Sequence, residues 1–248
     1  MQPDIIFRDL HQPGNPLVLI NIWDAGSAKA VAGAGAKALA TGSASVAGAL
    51  GFGDGQEIPL DLLLLVIERI RAASDLPLSV DFEAGYADDP AGITANAKRL
   101  EALGVAGVNL EDGIPPENGI RPAHEHAARI AAITDHTGIF VNARTDLFLQ
   151  NPAETHADLI ADALARAAAY AEAGAGCFFA PGLADPALIG ALTRDCPLPV
   201  NIMASPKTPP LDALARLNVA RVSHGPFPWR AAMAGLASAA EAEFRILA

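Results

Sequence analysis

Eight times in succession the chain passes from a short apolar run to a longer Ala/Leu-rich stretch with the period of a helix, and no other feature restricts its fold as strongly. The short runs are "LVLINIWD" (17–24), "KALATGS" (37–43), "LSVDFEA" (78–84), "AGVNLED" (106–112), "IFVNARTD" (139–146), "AGCFFAP" (175–181), "PVNIMAS" (199–205) and "ARVSHGP" (220–226). Helices are expected near 26–34, 59–73, 90–103, 122–136, 154–173, 185–194, 209–217 and 227–246. Gly or Pro punctuates most junctions, as in "AGAGAKAL" and "LGVAGV", where the backbone turns at low cost. Strand then helix, repeated over 248 residues, predicts a (β/α)8 barrel rather than a doubly wound sheet. No linker-like segment breaks the alternation, so residues 1–248 are expected to form one barrel domain.

A net charge of -11 with no concentrated basic stretch argues against a nucleic-acid partner. An acidic chain that binds an acid needs a local cation, either a metal or a well-placed Arg. Two cysteines, Cys177 and Cys196, argue against a disulfide framework and a Cys-based zinc site. The start "MQPDIIFRDL" lacks the basic and apolar regions of a signal peptide. The longest apolar run, "LLLLVI" at 62–67, is too short to span a bilayer. The expectation is a soluble cytoplasmic protein without a membrane partner.

A barrel strand shows one face to the lumen and the other to the helices, with a period of two. Val80 and Phe82 pack outward, which turns Asp81 and Glu83 inward. The same reading turns Asn109 and Glu111 inward, then Asn142, Arg144 and Asp146, and also Asn21, Trp23 and Asn201. Each strand becomes polar toward its C-terminal end, where barrel enzymes build their active sites. Asp81, Glu83 and Glu111 converge with one evident cation, Arg144. Unbalanced carboxylates repel and take up protons. An ion pair between Arg144 and one acid is the plain structural reading, and Asp112 and Asp146 also fit as loop or cap residues. A divalent cation resolves the remaining conflict, and all-oxygen ligands favour Mg2+ or Mn2+.

The motifs "ATGSAS" (40–45), "DFEAGY" (81–86), "NLEDG" (109–113) and "NARTD" (142–146), in this order, resemble the isocitrate lyase/phosphoenolpyruvate mutase superfamily, specifically its small phosphonomutase-like branch. The resemblance spans roughly 17–230. It implies a (β/α)8 barrel, a last helix often swapped within a homodimer or homotetramer, and Mg2+-dependent chemistry on 2-oxo or 2-hydroxy acids. By the same resemblance Asp81 lies closest to the metal, Glu83 replaces the usual second Asp with a longer side chain, and Glu111 holds metal-bound water. Asp54 in "GFGDG" matches a further acid near the metal. Arg144 matches the Arg on the substrate's carboxylate or oxo oxygen. Thr41, Gly42 and Ser43 match a carboxylate-holding loop, and Trp23 and Asp24 match the border of the pocket.

The chain also departs from the family pattern. The loop "GIPPENGIRPAHEHAARI" (113–130) has neither the Cys nor the Lys of isocitrate lyases. For the Lys and Asn or Thr of the phosphonate enzymes it offers only Glu117, Asn118 and Arg121, and "FFAPG" (178–182) stands where they carry a His. His224 ends the last strand as a packing residue or an acid/base, His124 and His126 are expected in solvent, and Cys177 in the core. The expected function is a Mg2+-dependent lyase that cleaves a C–C bond of a short 2-oxo acid by decarboxylation or retro-aldol cleavage. C–P bond chemistry and a non-catalytic 2-oxo acid binding protein are the alternatives.

Overall fold

All eight expected strands form and pair in parallel around a ring. The computed structural model describes residues 3–115 and 119–246. The first strand is broken at Ile20 into β1 (Leu17–Leu19) and β2 (Asn21–Ile22). Then come β3 (Leu39–Thr41), β4 (Leu78–Asp81), β5 (Gly107–Glu111), β6 (Phe140–Arg144), β7 (Cys177–Phe179), β8 (Val200–Met203) and β9 (Arg221–Ser223). β1 pairs with β9 while β2 pairs with β3, so the broken strand closes the barrel. The outer helices are α2 (Ala25–Gly33), α4 (Leu60–Arg71), α5 (Pro90–Ala102), α6 (Ala123–Thr134), α7 (His156–Glu172), α8 (Pro186–Asp195) and α9 (Leu211–Arg216). The chain ends in α10 (Phe227–Ile246).

Two short helices lack a sequence signal: α1 (Pro3–Asp9) and α3 (Ser43–Ala49). α1 closes the base of the barrel. Its Phe7 is fully buried and meets Phe140 edge-on, with ring centroids 5.5 Å apart. Gly107 on β5 leaves space for that ring, since a Cβ there would lie 2.7 Å from it. Leu17, Leu19, Phe140 and Cys177 complete this small inner core, so Cys177 is a packing residue as expected. The larger core lies between the strands and the helices, with Ile22, Val80, Val108, Val141 and Ile202 pointing outward.

Local chemistry sets the helix starts. Asp24 caps α2, accepting from the Ser27 N–H at 2.7 Å, and the Ser27 hydroxyl returns to the cap's backbone. Asp89 caps α5 just before Pro90, a residue suited to the first helical position. The buried Arg129 of α6 donates to the carbonyl oxygens of Ala84, Ala87 and Asp88, which fixes the loop after β4.

Two further features concern burial. α10 has no buried residue, and its Leu236, Phe244 and Ile246 are 66%, 70% and 75% exposed. Meanwhile the outer face of β1, with Ile20 exposed, is left uncovered between α2 and α9. His126 is fully buried rather than solvated, edge-on to Tyr170, while His124 is exposed.

Burial, aided by the nearby Arg129, pushes His126 down to about 3, and burial with the charge of Arg221 does the same to His11. The folded state therefore refuses protons that the unfolded chain takes up below about 6.5. The stability each ring confers is present above that pH and is lost as pH falls toward 3. Each contributes a slope of about 1.4 kcal/mol per pH unit across that window. Urea unfolding from pH 7 to 4 is expected to show this acid loss, with a shallower slope for His126→Leu.

Candidate active site

A cavity of about 220 Å3 lies at the C-terminal ends of the strands. Asp54, Asp81, Asn109, Arg144 and Ser43 form its polar side, and Leu149, Phe179, Pro181, Met203 and Pro226 its apolar side. Arg230, from the first turn of α10, adds a second cation.

The last residue of β4, Asp81, is held from two neighbours. Its Oδ2 accepts the Ser43 N–H at 3.0 Å, and its own N–H donates to Thr41 Oγ1 at 2.9 Å. The Asn109 amide approaches Oδ1 at 3.5 Å. Thr41 thus serves the strand end, while Gly42 and Ser43 reach the cavity. Asn21 is a joint: its amide donates to the Thr41 carbonyl at 2.7 Å and accepts the N–H groups of His224 and Gly225 at 2.9 and 2.8 Å.

Glu83 departs from the strand alternation, because the chain has left β4 and the residue adopts φ 48°. Its buried carboxylate accepts the Gln56 N–H and the Tyr86 hydroxyl, both at 2.7 Å. Gln56 and Tyr86 are themselves left-handed, at φ 65° and 55°. Three such residues at one carboxylate store strain of about 1–3 kcal/mol each. Burial, reinforced by the charges of Asp81 and Asp54, pushes Glu83 up to about 7 against the pull of Tyr86 and Gln56. Asp54, on a loop open to solvent, is also raised, by burial of its carboxyl and by Asp81.

Glu111 and Arg144 face each other across β5 and β6. Arg144 Nη1 meets Glu111 Oε2 at 2.6 Å, while Nε and Nη2 meet the two Asp146 oxygens at 2.6 and 3.1 Å. Burial, with the charges of Asp146, Asp81 and Glu83, raises Glu111 despite Arg144. Arg144 is held well above its ordinary value, because the carboxylates outweigh its own burial. The plain ion-pair reading therefore holds for Glu111, yet the guanidinium still faces the cavity.

Other expected site residues lie elsewhere. Trp23 is half-buried against the main core and does not line the cavity. Asp24 is the α2 cap, and Asn201 is fully buried outside the lining. His224 Nδ1 pairs with the Leu19 carbonyl at 3.0 Å, a packing role. Arg121 serves its own loop, with its N–H on the Asp112 carbonyl. Glu117 and Asn118 fall outside the described residues. Arg230 escapes sequence reading because nothing in "PFPWRAAM" (226–233) distinguishes it from a surface cation.

Among the described residues no three His, Cys, Asp or Glu side chains are placed to cage a metal ion. What converges is all oxygen: Asp81 and Asp54 face the cavity, and Glu83 and Glu111 stand beside them, held by protein donors. This donor set fits a hard divalent cation that takes one or two carboxylates and keeps its water. It does not fit a closed zinc site.

With this geometry in place, the model of the family "Phosphoenolpyruvate phosphomutase" matches residues 7–244. The chain belongs to that family. It thereby belongs to the isocitrate lyase/phosphoenolpyruvate mutase superfamily, whose enzymes cleave or rearrange C–C and C–P bonds. The chain is similar to the structure of a phosphonomutase-like protein from Burkholderia cenocepacia J2315, with 48% identity, a TM-score of 0.94, and coverage of 97% of this chain and 98% of that one. It is 37% identical to an uncharacterized Mycobacterium tuberculosis protein over 95% of this chain and 88% of the relative. It is 30% identical to an oxaloacetate decarboxylase of Rhodopseudomonas palustris, over 78% of this chain but only 65% of that enzyme.

Removing the Tyr86 hydroxyl takes away a donor that lowers Glu83. In a carboxyl 13C NMR titration, Tyr86→Phe is expected to move Glu83 upward from about 7. An unmoved midpoint would deny Tyr86 that role.

Proposed function

We propose that this protein is a Mg2+-dependent lyase that cleaves a C–C bond of a short 2-oxo or 2-hydroxy acid, as in oxaloacetate decarboxylation or retro-aldol release of pyruvate. The observation that carries the reading is that Arg144, Asp81 and Asp54 line one small cavity. Asp81, Asp54, Glu83 and Glu111 would hold the ion, directly or through its water; Mn2+ suits the same oxygens. When bound, Mg2+ would supply Lewis-acid chemistry at the oxo oxygen. Ser43 and Gly42 bind the C1 carboxylate. Arg144, its orientation fixed by Glu111 and Asp146, stabilises the negative charge that grows on the oxo oxygen as the bond breaks. Asp54, its carboxyl raised by burial and by Asp81, returns a proton to C3. Leu149, Phe179, Pro181 and Met203 shield that carbon from water. The resemblance to an oxaloacetate decarboxylase supports the choice of bond.

Enzyme-dependent pyruvate release from oxaloacetate or a 4-hydroxy-2-oxo acid tests the proposal. Arg144→Ala is expected to lower kcat by about 10²- to 10³-fold, and EDTA or Asp81→Ala to abolish turnover. Turnover indifferent to both would sink it. C–P chemistry is the second reading, favoured by the similarity to a phosphonomutase-like protein; phosphate release from phosphonopyruvate would select it.

The uncovered outer face of β1 and the unburied α10 suggest a homo-oligomer. In a (β/α)8 barrel the helix after the last strand covers the seam with the first strand. Here that seam is a groove of about 710 Å3, lined by apolar residues such as Leu17, Val18, Ile20 and Val31, with a second hollow beside Leu211 and Leu214. An α10 helix from a second copy fills it, giving a homodimer or homotetramer. Light scattering is expected to find an assembly that Leu236→Arg dissociates; a wild-type monomer would contradict this.

A further inference from the structure

Behind the cavity lies a buried polar cluster that the proposed chemistry does not use. Asp112, which follows the last residue of β5, is 0% exposed. A buried carboxylate costs several kcal/mol unless hydrogen bonds offset it. Here its Oδ2 accepts the Tyr170 hydroxyl at 2.8 Å and Arg166 Nη1 at 3.1 Å, and its Oδ1 accepts the Asp146 N–H at 2.9 Å. Tyr170 and Arg166 stand one turn apart on α7, and Arg166 Nη1 also donates to the Arg121 carbonyl at 2.8 Å.

The Asp146 N–H lies past the end of β6, where no ladder partner holds it: the preceding Thr145 N–H still reaches the Phe179 carbonyl at 2.9 Å. The Asp112 carboxylate is what fixes Asp146, and Asp146 in turn grips Arg144 with both oxygens. The neighbours of Asp112 serve the same unit. Glu111 takes the remaining edge of the guanidinium, and at Gly113 a Cβ would lie 2.7 Å from Asp146 Oδ2. Glu111, Asp112 and Gly113 thus act together on one side chain of the adjacent strand.

We propose that Asp112, anchored by Tyr170 and Arg166, is a positioning residue that acts through Asp146 to aim Arg144 into the cavity. The proposal rests on the reading that Arg144 acts on the substrate. A charged anchor on α7 then has a purpose that packing alone does not supply, since an apolar cluster fills such a space at least as favourably. Misaiming a group that contacts the reacting oxygen by about 1 Å costs roughly 100-fold in rate.

The test uses Tyr170→Phe and Asp112→Asn, with kcat, KM and thermal stability measured together and the Arg144 Nε–H followed by NMR. In the wild type that proton is expected to exchange slowly, because Asp146 accepts it. The variants are expected to lose roughly tenfold to 100-fold in kcat, with a smaller change in KM, and to exchange the Nε–H faster. Lowered stability with kcat and Nε–H exchange unchanged would overturn the proposal and leave a purely structural cluster. Should Asp112→Asn fail to fold, Tyr170→Phe, which removes one hydroxyl, carries the test. Should the wild type turn over none of the acids, the functional reading fails, and Nε–H exchange still decides whether Asp112 controls Arg144.

Discussion

Carboxylates outnumber cations at the mouth of this barrel, and the arrangement of the site follows from how that excess is managed. Arg144 neutralises Glu111 along one edge and Asp146 along the other. Glu83 is withdrawn into a pocket of protein donors, Gln56 N–H and Tyr86 hydroxyl, at the expense of three left-handed residues. Asp81 and Asp54 are left toward the cavity with neutral partners only, the Ser43 N–H and the Asn109 amide among them. An uncompensated carboxylate in a low-dielectric wall either takes up a proton or attracts a cation. The raised values of Glu83 and Asp54 are the first response, and the proposed Mg2+ would be the second.

Much of this was legible in the sequence because a barrel strand converts sequence parity into direction. Asp81, Asn109, Glu111, Asn142 and Arg144 lie on regular strands, and there the period of two holds. It fails one step past a strand end. Glu83 and Trp23 belong to runs whose regular strands end at Asp81 and Ile22. Every strand is shorter than its apolar run, because the run continues into buried flanking residues that keep single backbone bonds to the next strand, as Phe82 does to the Asn109 carbonyl, outside the regular ladder. α1 and α3 gave no signal for another reason: seven residues are fewer than the apolar period needs to show itself.

Helix burial misled in a similar way. A histidine such as His126 carries no sequence mark of burial, but α6 packs between α5 and α7 and buries a wide stripe. The ring fills space beside Tyr170, and Tyr170 binds Asp112. The acid sensitivity of the fold and the support of Arg144 therefore share one packed contact.

The cavity is also tied to the least buried element of the chain. Gly225, Pro226 and Arg230 line it, and α10 begins at Phe227. Trp229 in the first turn rests against Gly48 of α3, where a Cβ would lie 2.8 Å from the indole. α3 in turn begins at Ser43, which donates to Asp81. The first turn of α10 is thus wedged into the active-site wall, while the remaining turns extend from the barrel with their apolar side chains open. A helix anchored at one end by a catalytic wall transmits whatever orientation its far end is given. Were the far turns to dock on a second copy, as proposed, assembly would also bear on the position of Arg230 in the cavity wall.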